Sequence, residues 1–207
     1  MMNREEVLQK IFSQDPMPQG IFCIRCGAPA KQEIKAIGEV FQCLEEASHE
    51  EERAYVFEPA TKNILEKGIL IHETVGALIP RQGVHHLYVL LFLRSRFPTL
   101  YTLPAGHAET PFTKEENIKK EVGEETGLLI SGVELLWEAP LRLQDPCRRG
   151  AEAHDWWMYE VMTEGEPRLS YEARIMGWYS EKEINILEKN QQLTKPTSYF
   201  LQRYFSR

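Results

Sequence analysis

The 207-residue sequence predicts an α+β fold, and three observations carry that expectation. Two apolar runs, ILIHETVGALI and LYVLLFLR, have the composition of strands and are separated by the turn-rich PRQGVHH. A charged stretch after them, TKEENIKKEVGEETG, holds both a helix start and a helix stop. Ahead of these lies a compact segment, residues 20 to 58, with three of the four cysteines.

In chain order, Val7, Leu8, Ile11 and Phe12 recur at helical spacing, and DPMPQG then breaks the pattern, so a short helix over residues 4 to 14 is expected. The cysteine segment follows. The two apolar runs then read as paired strands of one sheet. After the loop RFPTLYTLPAGHAETPF comes a helix from about residue 113 to 126. Thr113 is its N-cap, Glu116 completes a capping box, and Gly127 ends it. VELLWEAPL, HDWWMYEVM and ARIMGWYS read as strands, and SEKEINILEKN and TKPTSYFLQRYF as closing helices. No repeat or low-complexity linker divides the chain. The expected organisation is a module over residues 1–60 and a main domain over 61–207.

Composition narrows the function. An apolar share of 43% with 27% charged residues is that of an ordinary globular protein, and no run approaches the roughly 20 apolar residues of a membrane span. The start, MMNREEVLQKIF, lacks the features of a signal peptide, so a cytoplasmic protein without membrane association is expected. A formal charge of −7 argues against bulk nucleic-acid binding, which rests on phosphate neutralisation by Lys and Arg. A polyanionic substrate would then need divalent cations held by carboxylates.

The charged helix has such carboxylates in a telling place. With about 100° per residue and Ile118 at zero, Val122 falls near 40°, Glu125 near 340°, Glu121 near 300° and Glu124 near 240°. Glu125 therefore sits within the apolar stripe and Glu121 borders it. A carboxylate half-buried on that stripe is costly without a compensating charge or metal. Lys119 and Lys120 are the alternative partners if the face is simply solvated.

The stretch GHAETPFTKEENIKKEVGEETGL resembles the signature of the Nudix hydrolases. Gly106, Glu121, Val122, Glu124, Glu125, Gly127 and Leu128 match at the family's spacing. Phe112 replaces the first Glu of the pattern, and Lys120 replaces an Arg, keeping the charge but losing the bidentate fork. The resemblance implies an α/β/α sandwich with a mixed sheet. It also implies Mg²⁺ or Mn²⁺ held by Glu121, Glu124 and Glu125. Leu103-Pro104-Ala105-Gly106 is similar to the turn of Nudix enzymes acting on ADP-ribose-like diphosphates, in which the carbonyl at Ala105 joins the metal shell. The implied activity is hydrolysis of a nucleoside diphosphate linked to another moiety. Glu121, or Glu172 from a later loop, is the candidate general base. The alternative is a Nudix-fold binding or regulatory protein whose catalysis is weakened by Phe112 and Lys120.

Cys23-Ile24-Arg25-Cys26-Gly27 has the form of a zinc knuckle, and Cys43 and His49 complete a candidate Cys3His set for structural zinc. Reduced thiols packed in a small subdomain are the alternative. The arrangement resembles the zinc ribbon ahead of the catalytic domain in bacterial NADH pyrophosphatases, departing from it in the second pair of ligands. Further on, Arg148 and Arg149 are candidate phosphate contacts, and Trp157 a candidate base-stacking residue beside a core Trp156. Cys147 and His154 read as ordinary residues rather than a nucleophilic pair. A homodimer is a candidate assembly.

Overall fold

A computed structural model describes residues 2–35, 38–96 and 98–206. Two compact units emerge. The first comprises Met1–Glu73, Ala108–Pro111 and Arg142–Asp155; the second comprises Thr74–His107, Phe112–Leu141 and Trp156–Arg207.

In the first unit, α1 (Arg4–Phe12) begins where Asn3 and Glu6 cap each other's backbone N–H groups, at 2.9 and 2.8 Å. Its apolar face, Val7, Leu8 and Ile11, packs with Phe22, Tyr55 and Phe57 into a buried core. Phe12 adds an edge-on ring contact to Phe57, centroids 5.6 Å apart. Strand β1 (Gly20–Cys23) is followed by β2 (Ala30–Lys35), β3 (Gly38–Cys43), β4 (Glu50–Glu51) and β5 (Ala54–Phe57). β1 pairs antiparallel with β5, while β2, β3 and β4 form a separate three-stranded sheet. The cysteine segment is thus built of short strands, each too small to bury a core alone.

β6 (Asn63–Glu66) and β7 (Ile69–Leu78) form a hairpin whose turn residues, Lys67 and Gly68, both have positive φ. That turn matches the twist of the paired strands. Gly68 is required there twice over, because a Cβ would also lie 2.6 Å from the Glu5 side chain.

The second unit contains β8 (Pro80–Gln82), β9 (Leu87–Arg94), β10 (Tyr101–Thr102), β11 (Ala105–His107), α2 (Lys114–Thr126) and β12 (Leu129–Leu135). After β13 (Leu141–Leu143) come β14 (Ala153–Glu164), β15 (Ala173–Ser180), α3 (Glu181–Lys189) and α4 (Lys195–Phe205). β7, β13 and β14 each run through the boundary between the units. The larger sheet has the order β11-β7-β14-β12, with β6 and β13 attached; the smaller has β10-β9-β15, with β8 attached.

Two expectations need correction. The apolar runs at 69–79 and 87–94 do form strands, but among the described residues they meet only where Ile79 O accepts from Leu90 N at 3.0 Å: β7 lies in the larger sheet, and β9 pairs with β8 and β15. The loop PRQGVHH supplies β8, whose short hairpin with β9 takes the edge that the longer run was expected to occupy. The run VELLWEAPL holds its strand only to Leu135, after which the chain bends. The helices fall where their signals lie, and the α+β class holds.

Helices cover both faces of the larger sheet within the second unit. Trp156 and Tyr159, three residues apart on β14, point to opposite faces. Trp156 meets Phe200 of α4, centroids 5.4 Å apart, whereas Tyr159 feels the charge of Glu115 on α2. Ile118 and Val122 of α2 and Phe200 of α4 are fully buried. Each such side chain contributes about 1.5–3 kcal/mol on leaving water, enough to fix α2 against the sheet.

Candidate active site and metal centres

The start of α2 is set by Thr113. Its hydroxyl accepts from Glu116 N at 3.2 Å, and the Glu116 carboxylate accepts from Thr113 N at 2.7 Å. Those hydrogen bonds hold the Glu116 carboxyl below its usual pKa. Gly127 closes the helix in the left-handed conformation, φ 66°, its N–H bonded to Gly123 O. Between these ends the glutamates are fixed in phase.

Glu125 is 7% exposed, and its Oε2 accepts from Ala105 N at 2.9 Å. Burial raises its pKa well above the ordinary carboxylate range. The Glu121 and Glu172 charges add to the rise, while the Ala105 N–H and the Arg94 guanidinium oppose it. Glu121, half-buried, lies so close over Gly106 that a Cβ there would collide with its carboxylate. Glu124 faces solvent on the same turn. Gly106 is thus the floor on which Glu121 rests, and Ala105 is the hydrogen-bonding wall beside Glu125.

This arrangement fits a divalent cation. Hard carboxylate oxygens project from one helical turn, Glu121 over Gly106 and Glu125 against Ala105, and the buried, repelled charge of Glu125 is what a cation would neutralise. Glu172, in the loop before β15, is within electrostatic reach of Glu125, and its carboxylate beside Tyr171 raises the pKa of that phenol. Lys120 is half-buried on the helix, and Phe112 is 50% exposed.

The model of the NUDIX domain family matches residues 70–203. The chain belongs to the Nudix hydrolase family. Solved structures of similar fold include the NUDIX domain of Shewanella oneidensis NrtR complexed with ADP ribose. It is 18% identical, with TM-score 0.52, over 69% of this chain and 90% of that one. A MutT NUDIX hydrolase from Burkholderia pseudomallei is 24% identical, with TM-score 0.52, over 64% of this chain and 96% of the other. A C. elegans Ap4A hydrolase is 18% identical, with TM-score 0.51, over 65% and 95%. At these identities the likeness is one of fold.

Other candidate residues divide. On β14 the step of one residue turns Trp157 to the face opposite Trp156; it is half-buried, and its indole N–H has no partner among the described residues. Arg148 and Arg149 are occupied within the first unit. Arg148 donates to Glu39 Oε2 and Glu39 O at 2.7 and 2.8 Å. Arg149 pairs with Glu58. Both guanidiniums thus brace the segment around β5 and have little left for a phosphate.

Arg94, at the end of β9, was not singled out by any motif, yet its charge acts on Glu125. Its only trace in the sequence is the cation closing LYVLLFLR. Tyr171 gives no signal either, since its link to Glu172 depends on the fold of the loop.

In the first unit Cys23, Cys26, Cys43 and His49 bring four donor atoms within 4.8 Å of one another. Cys26 and Cys43 Sγ are 3.7 Å apart, and Cys23 Sγ is 3.7 Å from His49 Nδ1. Tetrahedral zinc with Zn–S of about 2.3 Å spaces its sulfurs by about 3.8 Å, so the set fits. Gly27, φ 74°, makes the knuckle possible, with its N–H on Cys23 O at 2.8 Å. Burial pushes the Cys26 thiol up to about 11. At Cys43 burial acts the same way, but N–H groups of Glu45 and Glu46 prevail and lower the pKa.

Proposed function

We propose that the protein is a metal-dependent pyrophosphohydrolase that cleaves a nucleoside diphosphate linked to another moiety, of the ADP-ribose or dinucleotide type. The observation that carries this reading is the α2 carboxylate cluster. Glu125 is buried and hydrogen-bonded to Ala105, and Glu121 is seated on Gly106. Among proteins of similar fold, one is named an Ap4A hydrolase and another was solved with ADP ribose, which supports the substrate class.

Bound Mg²⁺ or Mn²⁺ would neutralise pyrophosphate oxygens and lower the pKa of the attacking water. Glu121, Glu124 and Glu125 would hold it, with Ala105 O as a further oxygen donor. Glu172 is the proposed base: it accepts a proton as water oxygen bonds to one phosphorus and the bridging P–O bond breaks, leaving two phosphate-ended products. Lys120 and Arg94 balance the negative charge around the cluster. Trp157 offers an aromatic face and a donor to a base.

Cys23, Cys26, Cys43 and His49 are proposed to hold a structural zinc that takes no part in hydrolysis. The working division of labour is a zinc module over residues 1–60 and a catalytic domain over 61–207, although the compact units interleave along the chain.

The test is formation of the hydrolysis products, phosphomonoesters resolved by chromatography, from ADP-ribose, NADH, dinucleoside polyphosphates and nucleoside triphosphates with Mg²⁺ or Mn²⁺, beside Glu125→Gln. Turnover of a diphosphate-linked compound that is lost in the variant supports the enzyme. Tight binding without turnover across the panel rejects it in favour of a binding protein.

A further inference from the structure

Outside both sites just described, the first unit holds a second convergence of soft and borderline donors. His72 on β7 and His154 on β14 are 0% and 4% exposed, and Cys147 lies in the loop between β13 and β14. Their donor atoms lie within 4.8 Å of one another. Cys147 Sγ is 3.9 Å from His72 Nδ1, and the two imidazole rings meet edge to face with centroids 5.9 Å apart. We propose that His72, Cys147 and His154 form a second, buried transition-metal site of the zinc class.

The outer groups support the assignment. Asn63 donates its amide to Thr61 O at 3.0 Å, which turns Asn63 Oδ1 toward His72 Nε2, also at 3.0 Å. His72 must therefore carry its proton on Nε2, and its Nδ1 presents a lone pair toward Cys147. At His154 the carboxylate of Asp145 lies 3.0 Å from Nδ1 without forming a hydrogen bond to it. His72 thus has a hydrogen-bonded oxygen behind it, the arrangement that fixes tautomer and basicity in metal-binding histidines, and His154 has a carboxylate close behind its ring. A thiolate with two neutral imidazoles suits zinc better than Mg²⁺ or Ca²⁺.

The cysteine is also held in place. Arg53 donates to Cys147 O and Ala151 O, both at 2.8 Å, and Cys147 N bonds Ala151 O at 3.0 Å. Gly150 closes this loop at φ 91°, where a Cβ would stand 2.8 Å from Ala54 O. The loop that carries Cys147 is therefore fixed before any ion arrives. Burial and fixed outer partners distinguish this cluster from a chance meeting of polar side chains. The alternative is a metal-free hydrogen-bonded cluster with an imidazolium at His154.

The 207-residue chain, loaded with zinc and freed of excess metal, is expected to retain two equivalents, one at each cluster. A Cys147→Ser, His72→Gln variant is expected to retain one. Cys26→Ser, Cys43→Ser is the separate test of the N-terminal site, so the two readings fail independently. Unchanged zinc content in the Cys147 variant overturns the proposal. Because that variant could misfold, wild-type alkylation at Cys147 is followed by peptide mapping. Its rate is expected to rise at least tenfold with a zinc chelator and to fall again on adding Zn²⁺ alone. A rate indifferent to chelator and zinc equally overturns the proposal.

Discussion

Gly106 is the residue on which the geometry of the proposed metal-binding cluster depends most directly. With no room for a Cβ between β11 and the Glu121 carboxylate, Gly106→Ala must push Glu121 out of register with Glu125. Displacement of a catalytic group by an ångström costs on the order of 100-fold. A loss of kcat of that size, with an unchanged circular dichroism spectrum, is expected; near wild-type turnover would mean that Glu121 is not positioned by this contact. Glu125 predicts a pH effect. Its folded pKa is raised, so the favourable contribution of its protonated form is complete below the ordinary carboxylate value of 4.5 and is lost as pH rises through the folded pKa. Metal-free protein should therefore lose thermal stability across that interval, Mg²⁺ should restore it at the upper end, and Glu125→Gln should flatten both trends in melts taken across pH. The misplaced angular phase of Glu125 was legible in the sequence because helical periodicity is local. The Arg94 and Tyr171 contributions were not, since each reaches the site from a strand or loop whose register no local pattern specifies.

At the scale of elements, the chain shows which signals are self-sufficient. The capping box at Thr113 and Glu116 and the stop at Gly127 were readable because each acts within a few residues of itself. Strand partners were not. The apolar runs 69–79 and 87–94 were expected to pair because they are neighbours in sequence, but a three-residue strand, Pro80–Gln82, intervenes and sends them to different sheets. Pairing is decided by long-range burial, which periodicity within a run does not encode. The same reasoning makes α2 testable as a unit. Thr113→Ala removes the acceptor for Glu116 N and should destabilise the protein by about 1 kcal/mol in denaturant melts at neutral pH. Glu116, whose folded pKa is lowered, supplies its half of the cap above its unfolded pKa and loses it as pH falls through the lowered value. The Glu116→Gln variant should accordingly differ from wild type at neutral pH and converge with it in acid.

For the whole molecule, the acidic balance and the two kinds of donor set divide the chemistry. Carboxylates on α2 suit exchangeable hard cations, whereas the thiolates of the first unit suit an ion that stays. The strands β1 to β4 are short; β1 and β3 bury Phe22, Val40 and Phe41, but β2 buries no side chain, and Ala28 is the apolar residue buried beside Cys23 and Cys43. Metal bonds at the cysteine set would add to that small core in offsetting the entropy of ordering β2, β3 and the turn that follows them. A zinc-selective chelator should therefore abolish hydrogen-exchange protection across β2, β3 and the Cys43–His49 turn. The α2 helix should stay protected, because its fixing contacts are Ile118 and Val122 rather than zinc. Adding Mg²⁺ alone should leave the lost protection unrecovered, and adding Zn²⁺ should recover it. Persistence of protection in β2 and β3 after full removal of zinc would mean that packing alone holds the module. Recovery with Mg²⁺ would mean that oxygen ligands, not Cys23, Cys26, Cys43 and His49, organise it.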